Sequence, residues 1–302
     1  MALKFIITVD TEADNQWQKG APLTVNNLKF IPRFQELCER FNFIPTYLLT
    51  YEVAVDDTFM TWLKQKVGEG KADFGAHLHP WSNPPFKDEA EKSRQTFPCE
   101  LAREELKAKM ITLTEAIKTN LGVAPTAFRA GRWGISDEVM SVLKELDYKV
   151  DSSVTPFINW HGLVKGAPKA MNFKSALTAL YEWQGLTEVP MTIVPVPRWG
   201  FNFGPLGNKL FYKKVWGRIF SVTKVGDLEQ AFKTAKQLKW PHFQFMTHSS
   251  ELMPGGSIYN KTPEAVEEFY SKLEKLFTYL SAQEVRSVGL GAIAETDIKT
   301  NN

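Results

Sequence analysis

The sequence predicts an α/β fold in which a parallel sheet is built from strand and helix repeats. Short apolar runs rich in β-branched residues, such as 3–9, lack polar alternation and therefore indicate strands buried on both faces. Amphipathic segments lie between these runs, and the longest, 100–120, has apolar residues at helical spacing. This alternation is typical of βα repeats. At 302 residues the chain has the length of one α/β barrel, and we expect 1–302 to form a single domain.

The first half of the chain follows this rhythm element by element. Asn26 or Asn27 can cap the first helix, Gly122 is a natural stop for the third, and Ser136 can cap the fourth. The predicted strands lie at 3–9, 43–50, within 73–81, at 124–129 and at 148–152, and the predicted helices lie at about 27–41, 58–67, 100–120 and after Ser136.

The region 155–212 breaks the rhythm, because it holds six prolines and many glycines and aromatic residues, with little helical periodicity outside 170–180. We expect an irregular, aromatic-rich insertion of hairpins and loops around one strand at 187–194. Regular elements then return. The predicted helices lie at 228–239 and 262–280, and the predicted strands lie at 242–247 and 286–290.

The composition argues against several classes of protein. The formal net charge of +2 is close to neutral for a chain of 302 residues, so no electrostatic hold on nucleic acid is expected. Cys38 and Cys99 stand in no metal-ligand spacing, and we expect two free thiols. No run of about 18 apolar residues is present, so no membrane span is expected. The apolar run 3–9 is too short for a signal peptide, which predicts a cytoplasmic protein.

Two histidines, His77 and His79, stand one residue apart on a predicted strand. Side chains on a strand alternate faces, so both imidazoles would share a face while Leu78 turns to the other. Imidazole is a common zinc ligand, and three protein ligands with an open water position form the catalytic pattern. Taken alone, the pair fits an ordinary strand end equally well, and a metal site needs a third, oxygen-bearing ligand.

Polar residues gather at the carboxyl ends of the predicted strands. In parallel α/β folds the reactive groups lie at these ends, where the βα loops begin. A single polar residue there is more often a helix cap or a loop anchor. A set of polar residues that converges on the same end of the sheet indicates a functional site. The set comprises Asp10 and Glu12 after the first strand, His77 and His79 at the third, Arg129 after the fourth, Asp151 after the fifth, and His248 after 242–247.

The sequence around these residues resembles the polysaccharide deacetylases, the family with the NodB homology domain that is also called carbohydrate esterase family 4. The most similar subgroup is the one typified by the WalW protein. The resemblance implies a distorted (β/α)7 barrel and metal-assisted removal of an acetyl group from an acetylated sugar. It covers most of the chain, is weaker over 155–212, and rests on TVDTE at 8–12, FIPTYLL at 43–49, FRAGRWG at 128–134 and MTHS at 246–249.

The motif positions imply a catalytic role for four residues. Attack of water on a carbonyl needs a base, together with a proton donor for the leaving amine or alcohol. By the resemblance, Asp10 is the catalytic base, and Arg129 holds that carboxylate ionised and oriented. His248 resembles the general acid, and Asp151 is similar in place to the carboxylate that pairs with this histidine.

Metal coordination falls, by the same resemblance, to His77, His79 and one carboxylate. The family motif Thr-Phe-Asp-Asp-Gly has its metal-binding aspartate where this chain has Thr11, and Glu12 resembles the displaced acidic ligand. In a second departure, His-x-His stands in place of the family's His-x-x-x-His. We therefore expect Glu12, His77 and His79 to hold a divalent metal ion, with zinc the first candidate.

The expected function is that of a hydrolase acting on carbon–nitrogen (non-peptide) or ester bonds. Its expected substrate is an acetylated saccharide, from a cell-surface polysaccharide or its precursor. Two alternatives stay open at this point. Family relatives hydrolyse small cyclic amides, and a degenerate barrel would retain carbohydrate binding without catalysis.

Overall fold

The computed structural model describes residues 3–16, 18, 22–164, 166–197 and 212–293. Nine of the strands in these ranges form one curled, half-barrel sheet, and two more form a separate hairpin. The strands are β1 (Leu3–Thr11), β2 (Pro45–Leu49), β3 (Asp73–Leu78), β4 (Ala127–Ala130), β5 (Val150–Asp151), β6 (Tyr181–Trp183), β7 (Leu186–Glu188), β8 (Ile193–Pro197), β9 (Tyr212–Trp216), β10 (His242–His248) and β11 (Val285–Ser287).

The helices follow the strands much as the sequence predicts. Ser136 accepts a hydrogen bond from the backbone of Val139 and caps its helix, and Gly122, with φ of +85°, ends the preceding one. Asn26 and Asn27 begin a 3-10 turn and do not cap a helix. Within the described ranges, no helix is long and apolar enough to cross a membrane. The α-helices are α1 (Ile31–Arg40), α2 (Tyr51–Ala54), α3 (Asp57–Gly68), α4 (Arg103–Leu121), α5 (Asp137–Glu145), α6 (Trp160–Leu163), α7 (Val225–Gln237) and α8 (Pro263–Ser281).

The main sheet is almost entirely parallel. Its strands lie in the order β10, β1, β2, β3, β4, β5, β7, with β6 antiparallel at the far edge and β11 beside the start of β1. The register pairs Asp10 with His248 and His77 with Arg129. Four of the predicted site residues therefore face each other across two strand boundaries.

Alternating side chains divide each central strand between two environments. On β1, Phe5 and Ile7 are buried in the large core between sheet and helices, whereas Ile6 packs in a smaller cluster on the other side. Thr8 and Asp10 share the face of Ile6, because side chains alternate with a period of two. The inner side of the sheet is thus apolar near the amino ends of the strands and polar at their carboxyl ends.

The expected single strand at 187–194 is two strands in the structure. Its beginning lies in β7, which joins the main sheet, and its end lies in β8, which pairs with β9 in the separate hairpin. Pro190 lies between them and cannot donate a ladder hydrogen bond, so the chain leaves one sheet before it enters the next.

The helical spacing at 170–180 is also misleading, since the structure has only a 3-10 turn there, Lys169–Met171. Met171 and Phe173 are both buried although they lie two residues apart, and this spacing suits extended chain better than a helix. The rest of the predicted insertion, 198–211, lies outside the described residues.

The ring of Phe277, on α8, provides a test of the core. It is fully buried, and its centroid lies 5.2 Å from that of Phe43 and 6.2 Å from those of Phe5 and Phe245. Phe277→Ala should lower the free energy of unfolding by about 3–5 kcal/mol, because it removes apolar contacts and leaves a cavity. Chemical denaturation measures this loss. Leu238→Ala, at a position 58% exposed, is the control and should change the value by less than about 0.5 kcal/mol.

Candidate metal and catalytic centre

A buried ion pair between Asp10 and Arg129 lies on the inner side of the sheet. Nη1 of Arg129 donates to Oδ1 of Asp10 at 2.5 Å and to Oγ1 of Thr8 at 2.9 Å, while Nε donates to the carbonyl oxygen of Ser152 at 2.8 Å. Burial alone would raise the pKa of Asp10, but Arg129 and two neighbouring imidazoles lower it below its ordinary value. Asp10 is therefore held as an oriented carboxylate.

The two histidines of β3 and its end are fixed by different contacts. Nδ1 of His77 lies 2.9 Å from the carbonyl oxygen of Arg129, which can only accept, so Nδ1 carries the proton and Nε2 presents its lone pair. The ring of His79 stacks on Trp81 at a centroid distance of 4.4 Å. Gly131 makes room for it, because a Cβ there would lie 2.2 Å from Cδ2 of His79. Burial lowers the pKa of both histidines, which favours the neutral form that binds metal.

Glu12, His77 and His79 bring together three atoms that suit a metal ion, all within 4.8 Å of one another. Oε2 of Glu12 lies 3.8 Å from Nε2 of His77 and 3.6 Å from Nε2 of His79. These separations are close to the roughly 3.4 Å between ligand atoms that each lie about 2.1 Å from a tetrahedral zinc ion. Both carboxylate oxygens of Glu12 are buried and have no hydrogen-bond partner among the described residues. The donor set and this uncompensated carboxylate fit a divalent cation.

The loop after β1 holds Glu12 in place from several sides. Its backbone N–H donates to Oγ of Ser249 at 3.1 Å, and its carbonyl oxygen accepts from Nδ2 of Asn27 at 2.9 Å. Burial, followed by the nearby carboxylates of Asp10 and Glu52, raises the pKa of Glu12 well above its ordinary value. Burial of the Glu12 carboxyl group at this position is therefore favourable only when the group is protonated or binds a cation.

His248, at the end of β10, lies between two carboxylates. Its Nε2 lies 3.8 Å from Oδ2 of Asp10, as expected from the pairing of these two residues in the sheet. On the other side of the ring, Nδ1 lies 3.2 Å from Oε1 of Glu251 and 2.8 Å from Nη2 of Arg218. Arg218 also donates to Oε1 of Glu251. One nitrogen of the ring thus faces the predicted base, and the other faces an ion pair.

The structure gives His248 a different carboxylate partner from the expected Asp151. Asp151 accepts from Oγ and N of Ser153, at 2.7 and 3.0 Å, and is paired with Glu188. Four strands separate β5 from β10 in the sheet, whereas Glu251 follows His248 by three residues in a short turn. Burial raises the pKa of both Asp151 and Glu188, and the nearby carboxylate of Asp151 raises the pKa of Glu188 further. A catalytic role for Asp151 stays a prediction.

Most of the predicted site residues line one cavity at the carboxyl ends of the strands. Five of the seven predicted residues line it, and Arg129 supports it from behind through Asp10. Arg132 and Trp133 complete one wall from the turn after β4, both with positive φ, at 55° and 63°. The lining residues are Asp10, Glu12, His77, His79, Ala130, Arg132, Trp133, Arg218 and His248.

Two residues at the mouth, Arg218 and Glu251, are absent from the sequence prediction. Glu251 stands three residues after His248, and the 3-10 turn between them places both side chains on one side of the chain. The His-x-x-Glu pattern could therefore have indicated this contact. Arg218 lies 30 residues before His248, just beyond the predicted insertion, and no spacing in the sequence points to it.

Solved structures share this fold, and three of them serve as examples. A putative polysaccharide deacetylase from Mycobacterium smegmatis has a TM-score of 0.61 at 13% identity, over 99% of this chain and 91% of its own. The 4-alpha-glucanotransferase from Thermococcus litoralis has a TM-score of 0.58 at 11% identity, over 100% of this chain and 40% of its own. The Bc1960 peptidoglycan N-acetylglucosamine deacetylase has a TM-score of 0.50 at 12% identity, over 97% and 88%. No protein-family model and no curated protein matches the sequence.

These comparisons confirm the fold that the sequence resemblance implies, which is that of the polysaccharide deacetylases. The same fold also occurs in the glucanotransferase, so the fold alone does not decide the reaction. The side chains that line the cavity have to indicate the reaction.

The ion pair of Asp10 and Arg129 can be tested by its coupling energy. Arg129→Met should lower the free energy of unfolding by about 3–5 kcal/mol, because it leaves the carboxylate of Asp10 buried without its cation. The double variant Asp10→Asn, Arg129→Met should lose less than the sum of the two single losses, with a coupling of about 0.5–3 kcal/mol. Chemical denaturation of the four proteins measures this. Additive losses would contradict a direct pair.

Proposed function

We propose that the chain is a metal-dependent hydrolase that removes an acetyl group from an acetylated saccharide. One observation carries the proposal. The group of Glu12, His77 and His79 lies in the same cavity as Asp10 and His248, and the carboxylate oxygens of Glu12 have no hydrogen-bond partner among the described residues. Asp10 is held by the buried guanidinium of Arg129, and His248 faces Asp10. The fold that the chain shares with two proteins named as deacetylases supports the acetyl group as the part that leaves.

The proton transfers are assigned to Asp10 and His248. Asp10 acts as the general base toward the attacking water, and Arg129 keeps it ionised. His248 gives a proton from Nε2 to the leaving nitrogen or oxygen. Asp151 is close enough to Arg129 for their charges to interact, and it supports the guanidinium from the β5 side.

Glu12, His77 and His79 hold the metal ion, for which zinc is the first candidate. A bound ion would polarise the acyl oxygen and lower the pKa of a water molecule. The hydrogen bond from His77 to the carbonyl oxygen of Arg129 fixes the ring that presents Nε2 to the ion. Imidazole and carboxylate ligands are the set found in catalytic zinc sites.

The tryptophan in the cavity lining, Trp133, favours a saccharide over a small cyclic amide. Trp133 lines the cavity, and its ring lies 6.3 Å from that of Trp216, which lies 6.2 Å from Trp160. Aromatic rings present apolar faces that suit the faces of sugar rings. Trp160 and Trp216 pack against the neighbouring apolar cluster of Ile158, Met191, Ile193 and Met246, which supports Trp133 from behind.

The proposed metal site predicts a defined metal content. The purified protein should contain about one divalent ion per chain, and the double variant His77→Ala, His79→Ala should contain none, because two of three ligands are lost. Elemental analysis by mass spectrometry measures this. His161→Ala, which changes a histidine of α6, is the control and should keep the ion. An unchanged metal content in the double variant would rule out this site.

The proposed base predicts a large loss of activity at unchanged metal content. Asp10→Asn should lower the rate of acetate release from acetylated oligosaccharides by about 10²–10⁴-fold, because water loses its proton acceptor. Asp147→Asn, at a side chain 95% exposed, should leave the rate unchanged. A wild-type rate in Asp10→Asn would show that the base is another group. Metal-loaded protein that releases no acetate would favour the cyclic-amide or the binding-only alternative.

A further inference from the structure

We propose that Arg218 is a positioning residue for the general acid, and that together with Glu251 it keeps Nε2 of His248 directed at the leaving group. The inference rests on the proposed function, in which His248 protonates the leaving nitrogen or oxygen. It gives the segment that follows β9, outside the regular βα repeats, a direct part in the reaction.

The contacts among the three residues form a closed triangle. Nη2 of Arg218 lies 2.8 Å from Nδ1 of His248, Oε1 of Glu251 lies 3.2 Å from the same nitrogen, and Arg218 donates to that oxygen as well. Oγ1 of Thr247 donates to Oε2 of Glu251 at 2.7 Å. Burial would raise the pKa of Glu251, but Arg218 and His248 hold it at about 2. The carboxylate therefore stays charged and fixed beside the ring.

Gly217 brings Arg218 to this position. Its N–H donates to the carbonyl oxygen of Thr192 at 2.8 Å, and its carbonyl oxygen accepts from the N–H of Met246 at 2.7 Å. The chain thus runs alongside β10 and delivers the next residue to His248. A Cβ at 217 would lie 1.9 Å from the carbonyl oxygen of Gln244, so only glycine permits this approach.

The two neighbours of Nδ1 serve different forms of the imidazole. When the neutral ring carries its proton on Nε2, Nδ1 accepts from Arg218, and when Nδ1 is protonated it donates to Glu251. In the proton-donating step, the doubly protonated ring passes its Nε2 proton to the leaving atom. That atom keeps the electron pair of its broken bond to the acetyl carbon. The ring becomes neutral and retains Nδ1–H on Glu251, so its orientation is kept.

A purely structural role explains Arg218 poorly. A buried ion pair contributes little net stability compared with packed apolar side chains. The side chain of Arg218 is only 8% exposed, and its Nε is buried without a hydrogen-bond partner among the described residues. The rings of Phe220 and Tyr259, 4.8 and 5.2 Å from the guanidinium carbon, compensate part of this burial and direct the guanidinium. Its contact with Nδ1 of His248, in the cavity that both residues line, is accounted for if the guanidinium orients a reacting group.

The test compares two substrates whose leaving groups differ in their need for a proton. Release of an amine or a sugar alkoxide requires a general acid, whereas 4-nitrophenolate leaves unprotonated. For acetylated oligosaccharides, Arg218→Met should lower kcat by about tenfold or more, with KM and metal content unchanged, because general acid catalysis contributes about 10²–10⁴-fold. For 4-nitrophenyl acetate, the same variant should match the wild type. His248→Ala should show the same selective loss, whereas Asp10→Asn should lose both activities.

Two further variants keep the test decisive. Arg218→Lys retains a cation that can pair with Glu251 and so keep that carboxylate beside Nδ1, and it should recover part of the loss. Arg33→Met, which removes a guanidinium paired with Glu267 at the surface, should act as the wild type on both substrates. Wild-type kcat on the oligosaccharide in Arg218→Met and Arg218→Lys, or an equal loss on both substrates, would overturn the inference. Wild-type protein that hydrolyses neither substrate would instead refute the proposed function.

Discussion

The buried guanidinium of Arg129 is the group on which the rest of the site depends. Its side chain donates to Asp10, and its carbonyl oxygen accepts from His77, so one residue fixes both the proposed base and a proposed metal ligand. The contact with Asp10 also spans the inner side of the sheet between β1 and β4, which two strands separate. An uncompensated guanidinium is strongly unfavourable in such a place. The charge that holds the proposed base Asp10 ionised therefore also links β1 with β4 across the inner side of the sheet.

The parts of the fold and site that the sequence predicts depend on local pattern. Period-two alternation places Asp10 with Thr8 on the inner face of β1, and the same alternation faces His77 inward on β3. Parallel strands have their carboxyl ends at the same edge of the sheet, so residues far apart in sequence can be predicted to lie close together from their strand-end positions alone. This is why Asp10, Glu12, His77 and His248 lie in one cavity of the structure. The regular helices are predictable for the same reason, since their caps and apolar spacing are local.

The remaining parts depend on chain that leaves the repeats. The segment at 187–194 divides between two sheets because of its neighbours in space, which no short pattern encodes. Arg218 reaches the mouth only because Gly217 fits between β10 and Thr192. Glu251, not Asp151, contacts His248 because a turn of three residues is shorter than a path across four strands. The resemblance predicts a carboxylate beside His248, and the structure places Glu251 there.

The pairing of β1 with β10 bears on how the protein acquires activity as it folds. Ser249 contacts the backbone of Glu12 across 237 positions of sequence, so almost the whole chain must be gathered before β10 docks. Closing so long a loop is slow, because its entropic cost precedes the contacts that compensate for it. Ser249, which helps to hold Glu12, and His248 are neighbours in sequence at the end of β10. The docking of β10 therefore completes the support of the proposed metal ligand Glu12 in the same step that brings the proposed general acid into the cavity.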